Sequence, residues 1–221
     1  MARIIKNVKN LINKYDTVIF DFDGTLVNTE PAHNVGHKVM LETLVGHPIP
    51  DVEAFIEKYL YMRDSVIFDE FKKEFGLTCD TSLMFELKRN AVLDILLKDD
   101  SNTLKYLDDI YSIRNGHNYY ILSNNHKSFI ETVLEAKGYG DFAKNIFAME
   151  DMNLTKDYFL EHIEDYIPSI DKDSLLICED SEIFIQYLVE HGYDVLAIEG
   201  EFNKGKVNNA RYIIKDGFKG E

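Results

Sequence analysis

Short apolar runs alternate with amphipathic stretches along most of this chain, and that alternation constrains its fold more than any other feature. The runs predict strands at Asp16 to Asp21, Asn118 to Ser123, Asn145 to Met149, Ser174 to Cys178 and Asp194 to Ile198, with a shorter one at Arg211 to Ile214. Helical spacing falls between them, in Leu104, Leu107 and Tyr111, in Phe129, Ile130, Val133 and Leu134, and in Phe184, Tyr187 and Leu188. Strands apolar on both faces need helices on both sides, so the expectation is an α/β fold with a doubly wound parallel sheet. Residues 31–100 break the rhythm. They offer helical patterns such as Leu83, Leu87, Val92, Ile95 and Leu96 and no strand, and Pro31, Pro48 and Pro50 punctuate the first half. An all-helical module inserted at 31–100 would split the sheet domain into 1–30 and 101–221, and beside a site it would serve as a lid that excludes water and chooses the substrate. The stripe Ile4, Ile5, Val8, Leu11 and Ile12 predicts a further helix over 3–14, packed on the core.

Charge narrows the partners. With 24 basic against 39 acidic residues the formal charge is -15, which argues against nucleic acid and against an anionic membrane surface. A phosphorylated ligand would meet repulsion too, unless its site brings local positive charge from a metal ion, a lysine or helix N-termini. Cys79 and Cys178 are the only cysteines, and Cys178, ending an apolar run, reads as a buried reduced thiol. No secretory apolar segment and no membrane-length apolar run occurs, so a cytoplasmic enzyme is expected. Nothing in the pattern separates a monomer from a dimer.

Four polar groups stand at the ends of the expected strands. Asp21 and Asp23, two residues apart in an extended segment, share a face until Gly24 re-aims the chain, so that one carboxylate could attack while the other handles protons. Ser123-Asn124-Asn125 ends the next apolar run with hydroxyl and amide groups suited to phosphoryl oxygens, and also suited to capping a helix. Lys156 follows the third strand. Glu179-Asp180 ends the fourth, and adjacent carboxylates at a buried strand's mouth repel unless a cation lies between them. A hard, oxygen-seeking ion such as Mg²⁺ answers that need.

Taken in order, Asp21-Phe22-Asp23-Gly24-Thr25-Leu26, Ser123, Lys156 and Glu179-Asp180 resemble the four motifs of the haloacid dehalogenase superfamily. The helical insertion, Asn28-Thr29-Glu30-Pro31-Ala32-His33 and the Glu179-Asp180-Ser181 form of the acidic pair are similar to the β-phosphoglucomutase and phosphoglycolate phosphatase branch, whose cap is helical. The resemblance implies a Rossmann-like sheet and a Mg²⁺-dependent phosphatase acting on a small phosphorylated metabolite. It implies Asp21 as nucleophile, Asp23 as general acid and base, Ser123 and Lys156 as holders of the phosphoryl oxygens, and Mg²⁺ among Asp21, the Asp23 carbonyl, Asp180 and nearby Glu179. Gly24, Thr25, Asn124, His33 and Arg63 are the implied substrate contacts. The second aspartate, absent from dehalogenases and phosphonate-cleaving relatives, favours phosphate esters. A phosphosugar mutase using His33 and Arg63 to grip a second phosphate is the alternative, and a catalytically silent binding protein on the same fold is a third reading.

Overall fold

The computed structural model describes residues 2–56, 58, 64–98 and 100–220. Among these, strands β1 (Arg3–Ile4), β2 (Thr17–Phe20), β3 (Asn118–Ser123), β4 (Asn145–Ala148), β5 (Leu175–Glu179), β6 (Asp194–Ile198) and β7 (Tyr212–Ile214) form one sheet. Its order is β1-β7-β6-β5-β2-β3-β4, and each neighbouring pair is parallel. The expected α/β parallel sheet with a helical segment is therefore present. Each residue of β2 and β5 is buried, as strands covered on both faces must be. Phe20 of β2 meets Tyr119 and Phe142 edge-on, with ring centroids 5.1 Å away in both cases. A second layer of the core joins Ile19, Leu122, Phe159, Ile177, Leu188 and Val195.

The chain divides into two units, Met1–Asn28 with Asp100–Glu221, and Thr29–Asp99. In the sheet unit, α1 (Val8–Ile12), α6 (Leu107–Ser112), α7 (Lys127–Ala136), α8 (Met149–Met152), α9 (Lys156–Glu161), α10 (Ile163–Tyr166) and α11 (Glu182–Glu190) fall between the strands. In α7 the apolar residues Phe129, Ile130, Val133 and Leu134 are buried together, so the helical period read from sequence is the one the core uses.

The N-terminus departs from expectation. The helix predicted over 3–14 is confined to α1, because Arg3 and Ile4 extend the sheet instead. Arg3 and Ile5 donate their N–H groups to the carbonyls of Arg211 and Ile213 at 2.9 and 2.8 Å. Asn7 starts α1 by accepting the N–H of Asn10 on its side chain at 3.0 Å, so the chain has a helix start where the apolar stripe showed none. Among the described residues no helix is long and apolar enough to cross a membrane.

The second unit holds α2 (Glu30–Val45), α3 (Val52–Ile56), α4 (Asp64–Phe75) and α5 (Thr81–Leu96). Met40, Leu41, Ile56, Phe68, Phe71 and Met84 form its core. A Cβ on Gly36 would lie 2.6 Å from Val92 Cγ2, so only glycine lets α2 and α5 approach this closely. Inside the unit, Lys88 of α5, 5% exposed, donates to Asp64 Oδ1 and Oδ2 at 2.5 and 2.7 Å. His37 Nε2 stands 3.2 Å from Asp64 Oδ1, and its ring meets Phe68 and Phe71 edge-on. His37 Nδ1 has no hydrogen-bond partner among the described residues. Burial would by itself raise the Asp64 carboxyl, but the hydrogen bond from His37 and the charge of Lys88 outweigh it and hold Asp64 below the ordinary carboxylate range.

Burial dominates at His37, which is lowered to about 4 from 6.5. The unfolded chain therefore takes up a proton on this ring before the folded one does. Stability should be complete above pH 6.5 and lost as pH falls toward 4, by on the order of 2–3 kcal/mol from this residue. Urea denaturation of the wild type and of His37→Leu across pH 7.5 to 4 checks it: the variant should show a shallower loss over that window.

Candidate active site

β2, β3 and β5 end side by side, so residues just beyond them meet at one edge of the sheet, where an open α/β fold places its crevice. Asp21 extends β2 by one residue, donating its N–H to the Cys178 carbonyl at 2.9 Å. Phe22 turns the other way, wholly buried and edge-on to Phe129 at 6.2 Å. The chain then folds back on itself. Leu26 and Val27 donate to the Phe22 carbonyl at 3.0 and 3.1 Å, and Gly24 donates to the Val27 carbonyl at 2.8 Å. Gly24 has φ +76°, and a Cβ there would stand 2.2 Å from Asp180 Oδ2. Glycine is thus required twice, by the left-handed backbone and by the carboxylate pressed against it.

Lys156 is the hub of the site. It occupies the first turn of α9 and is 9% exposed. Its ammonium donates to Asp21 Oδ1 at 2.7 Å and to Glu179 Oε2 at 2.8 Å, and lies 5.1 Å from the centre of the Phe184 ring. Burial alone would lower Lys156, yet the charges of Asp21 and Glu179 prevail and hold the ammonium above its ordinary value. Glu179, 2% exposed, uses its other oxygen, Oε1, to accept the N–H groups of Asp180 and Ser181, each at 3.1 Å. Both of its oxygens are occupied, so Glu179 acts first as a bolt for the β5–α11 turn. Asp21 gives only Oδ1 to Lys156.

Asp180 completes an acidic cluster. Asp21, Glu179 and Asp180 each offer a carboxylate oxygen within 4.8 Å of the others. Thr25, wholly buried, brings its hydroxyl 3.5 Å from Asp180 Oδ1. Asn203 holds the Asp180 backbone, donating to its carbonyl at 2.8 Å and to that of Ile198 at 2.9 Å. Burial, followed by the charges of Glu179 and Asp21, pushes Asp180 well above the ordinary carboxylate range. Burial likewise raises Asp21 to about 8, with Lys156 opposing and Glu179 and Asp23 adding to the rise. One ammonium thus faces several carboxylates, and the cluster is short of positive charge. Oxygen donors, mutual repulsion and burial fit a hard divalent cation such as Mg²⁺.

Beside the cluster, Ser123, wholly buried at the end of β3, donates to Asp23 Oδ2 at 3.3 Å. Asn125, rather than the Asn124 expected to contact substrate, turns inward and donates through Nδ2 to both Asp23 oxygens, each at 3.3 Å. Asn124 is exposed. Which of two adjacent asparagines turns inward depends on the loop's path after β3, which residue type does not reveal. Lys156, expected from the sequence after the third strand, stands in the first turn of α9, where a lysine opposes the helix dipole and Asp21 and Glu179 supply the local reason for it. His33 lies in the first turn of α2 in the helical unit, and Arg63 falls outside the described residues.

The chain matches the family model described as haloacid dehalogenase-like hydrolase over residues 18–198. No curated protein matches it. Among solved structures it is similar to a magnesium-bound candidate hydrolase, YfnB, of Bacillus subtilis, with TM-score 0.72 and 21% identity over 91% of this chain and 95% of that one. It is similar to CbbY of Rhodobacter sphaeroides in complex with phosphate, with TM-score 0.68 and 15% identity over 93% of this chain and 95% of that one. A protein assigned as a phosphoglycolate phosphatase from Haemophilus somnus gives TM-score 0.69 and 16% identity over 93% and 96% of the two chains.

Removing the hub leaves Asp21 and Glu179 buried without a counter-charge. Lys156→Met should destabilise the protein by about 3–5 kcal/mol at neutral pH, read by urea denaturation. Loss below about 1 kcal/mol would show that the carboxylates are neutralised by other means.

Proposed function

The chain belongs to the haloacid dehalogenase-like hydrolase family, and from that premise we propose that it is a Mg²⁺-dependent phosphatase of a small phosphomonoester. The observation that carries the reading is the buried run Glu179–Lys156–Asp21 with Asp23 two residues on. Asp21 is the nucleophile: its carboxylate attacks phosphorus and forms an aspartyl-phosphate as the ester oxygen departs. Asp23 gives that oxygen a proton, then takes one from the water that hydrolyses the intermediate. Lys156 and Ser123 hold phosphoryl oxygens, Lys156 also offsetting repulsion between Asp21 and an incoming dianion. Asp21, Asp180 and the Asp23 backbone carbonyl, with Glu179 close by, would hold Mg²⁺, which when bound neutralises charge on the transferring group.

Support for a phosphoryl site comes also from a structural relative with phosphate bound, and for the metal from one with magnesium bound. An ester whose alkoxide leaves poorly needs a proton donor beside the nucleophile, and Asp23 supplies that second carboxylate. Substrate choice is assigned to the helical unit Thr29–Asp99 on connectivity alone, since it leaves the sheet unit a few residues after Asp23.

The test is phosphate release from sugar phosphates, phosphoglycolate and nucleoside monophosphates, with Mg²⁺ and with a chelator. Release should need Mg²⁺ and should fall roughly a thousandfold or more in Asp21→Asn. Undiminished turnover by that variant overturns the nucleophile. β-Glucose 1-phosphate should yield free phosphate, and glucose 6-phosphate as the product would assign a mutase instead.

A further inference from the structure

The loop after β3 contains a second asparagine whose side chain is aimed by its surroundings. Asn125 Oδ1 accepts the N–H of His126 at 2.8 Å, and the Asn125 backbone N–H donates to Ser123 Oγ at 3.0 Å. With Oδ1 taken, Nδ2 must face Asp23, which it reaches at 3.3 Å to each oxygen. The reverse amide orientation would set an oxygen against a carboxylate and two donors against each other. The next residues are tied down in turn. His126 Nδ1 stands 2.6 Å from Asp151 Oδ1, and Asp151 Oδ2 accepts the N–H of Lys127 at 2.8 Å at the start of α7. A chain of contacts thus runs from the end of α8 through the loop to the Asp23 carboxylate.

We infer that Asn125 is a positioning residue for the proton transfers at Asp23, an assignment that rests on the phosphatase reading. It fixes the plane of the carboxylate that must first protonate the departing ester oxygen as the Asp21–phosphorus bond forms, and must then accept a proton from water as that bond breaks. A misplacement there costs proton transfer and leaves nucleophilic attack intact.

Two variants separate this role from loop building. Asn125→Ala removes both functions of the side chain. Asn125→Asp keeps an acceptor for His126 N–H, but replaces the donor toward Asp23 with a second carboxylate oxygen. Both should lose roughly tenfold to a hundredfold in kcat/KM with glycerol 2-phosphate, whose alkoxide needs a proton to leave. With p-nitrophenyl phosphate, whose phenolate leaves unaided, kcat/KM should stay within about threefold. Its kcat and KM should fall together, and a burst of p-nitrophenolate should precede slow turnover as the aspartyl-phosphate accumulates. Equal losses on the two esters, or wild-type behaviour of Asn125→Asp, overturn the inference. Crystal structures of the wild type and Asn125→Ala decide it without turnover. The Asp23 carboxylate should leave its plane in the variant, and an unmoved carboxylate overturns the assignment. Absence of phosphate release from every ester by the wild type with Mg²⁺ would sink the phosphatase reading separately, while the crystallographic comparison would still decide what Asn125 does.

Discussion

Lys156 stands between two buried carboxylates that cannot be neighbours without it. Asp21 follows β2, Glu179 ends β5, and the ammonium that joins them arrives from α9, on the far side of β3 in chain order. Two strand ends and one crossover helix are therefore fastened at one point. The fastening is an ion pair in a dry place, where the attraction is strong and the cost of losing one partner is high. Glu179 passes the constraint on, since the oxygen it does not give to Lys156 holds the first N–H groups of the β5–α11 turn. Asp180 is consequently set by backbone bonds on both sides, to Glu179 through its N–H and to Asn203 through its carbonyl, and its carboxylate is left facing Gly24.

Much of this arrangement was readable in the sequence because the requirements are local. A β-branched and aromatic run followed by Asp-Phe-Asp-Gly needs only the alternation of an extended chain to put Phe22 in the core and both aspartates outside it. Strand ends rich in polar residues announced where Ser123 and Glu179 would lie. What stayed hidden depends on contacts distant in sequence. Nothing near Arg3 says that it will find Arg211, so an apolar stripe read as a helix although its first residues became an edge strand. Nothing in Asn124-Asn125 says which amide turns inward, because the answer lies with Asp151, reached through His126 and Lys127.

The helical unit repeats the same physics with a different composition. Lys88 and His37 converge on Asp64 much as Lys156 converges on two acids, and helical periodicity alone would have placed Lys88 and His37 on ordinary solvated faces. The difference is the state of the acid. In the helical unit two donors meet one carboxylate, which stays ionised below its usual range. In the sheet unit one donor meets several, and the surplus negative charge is what a cation can use. The ratio of donors to acids thus sets the two clusters apart, one satisfied within itself and the other left with surplus negative charge.

The edge strand at Arg3–Ile4 has a consequence for how this molecule comes apart. It is two residues long, bonded on one side to β7, and its partner Tyr212 lies almost the whole chain away. Contacts of such separation form late in folding and open early in local fluctuations. The site is assembled on β3, β2 and β5, and β6 and β7 lie between β5 and that edge. Arg3 and Ile4 can therefore peel away from β7 as a frayed margin, exposing the β7 edge to proteases or to another chain's strand, while Asp21, Glu179 and Asp180 remain in register.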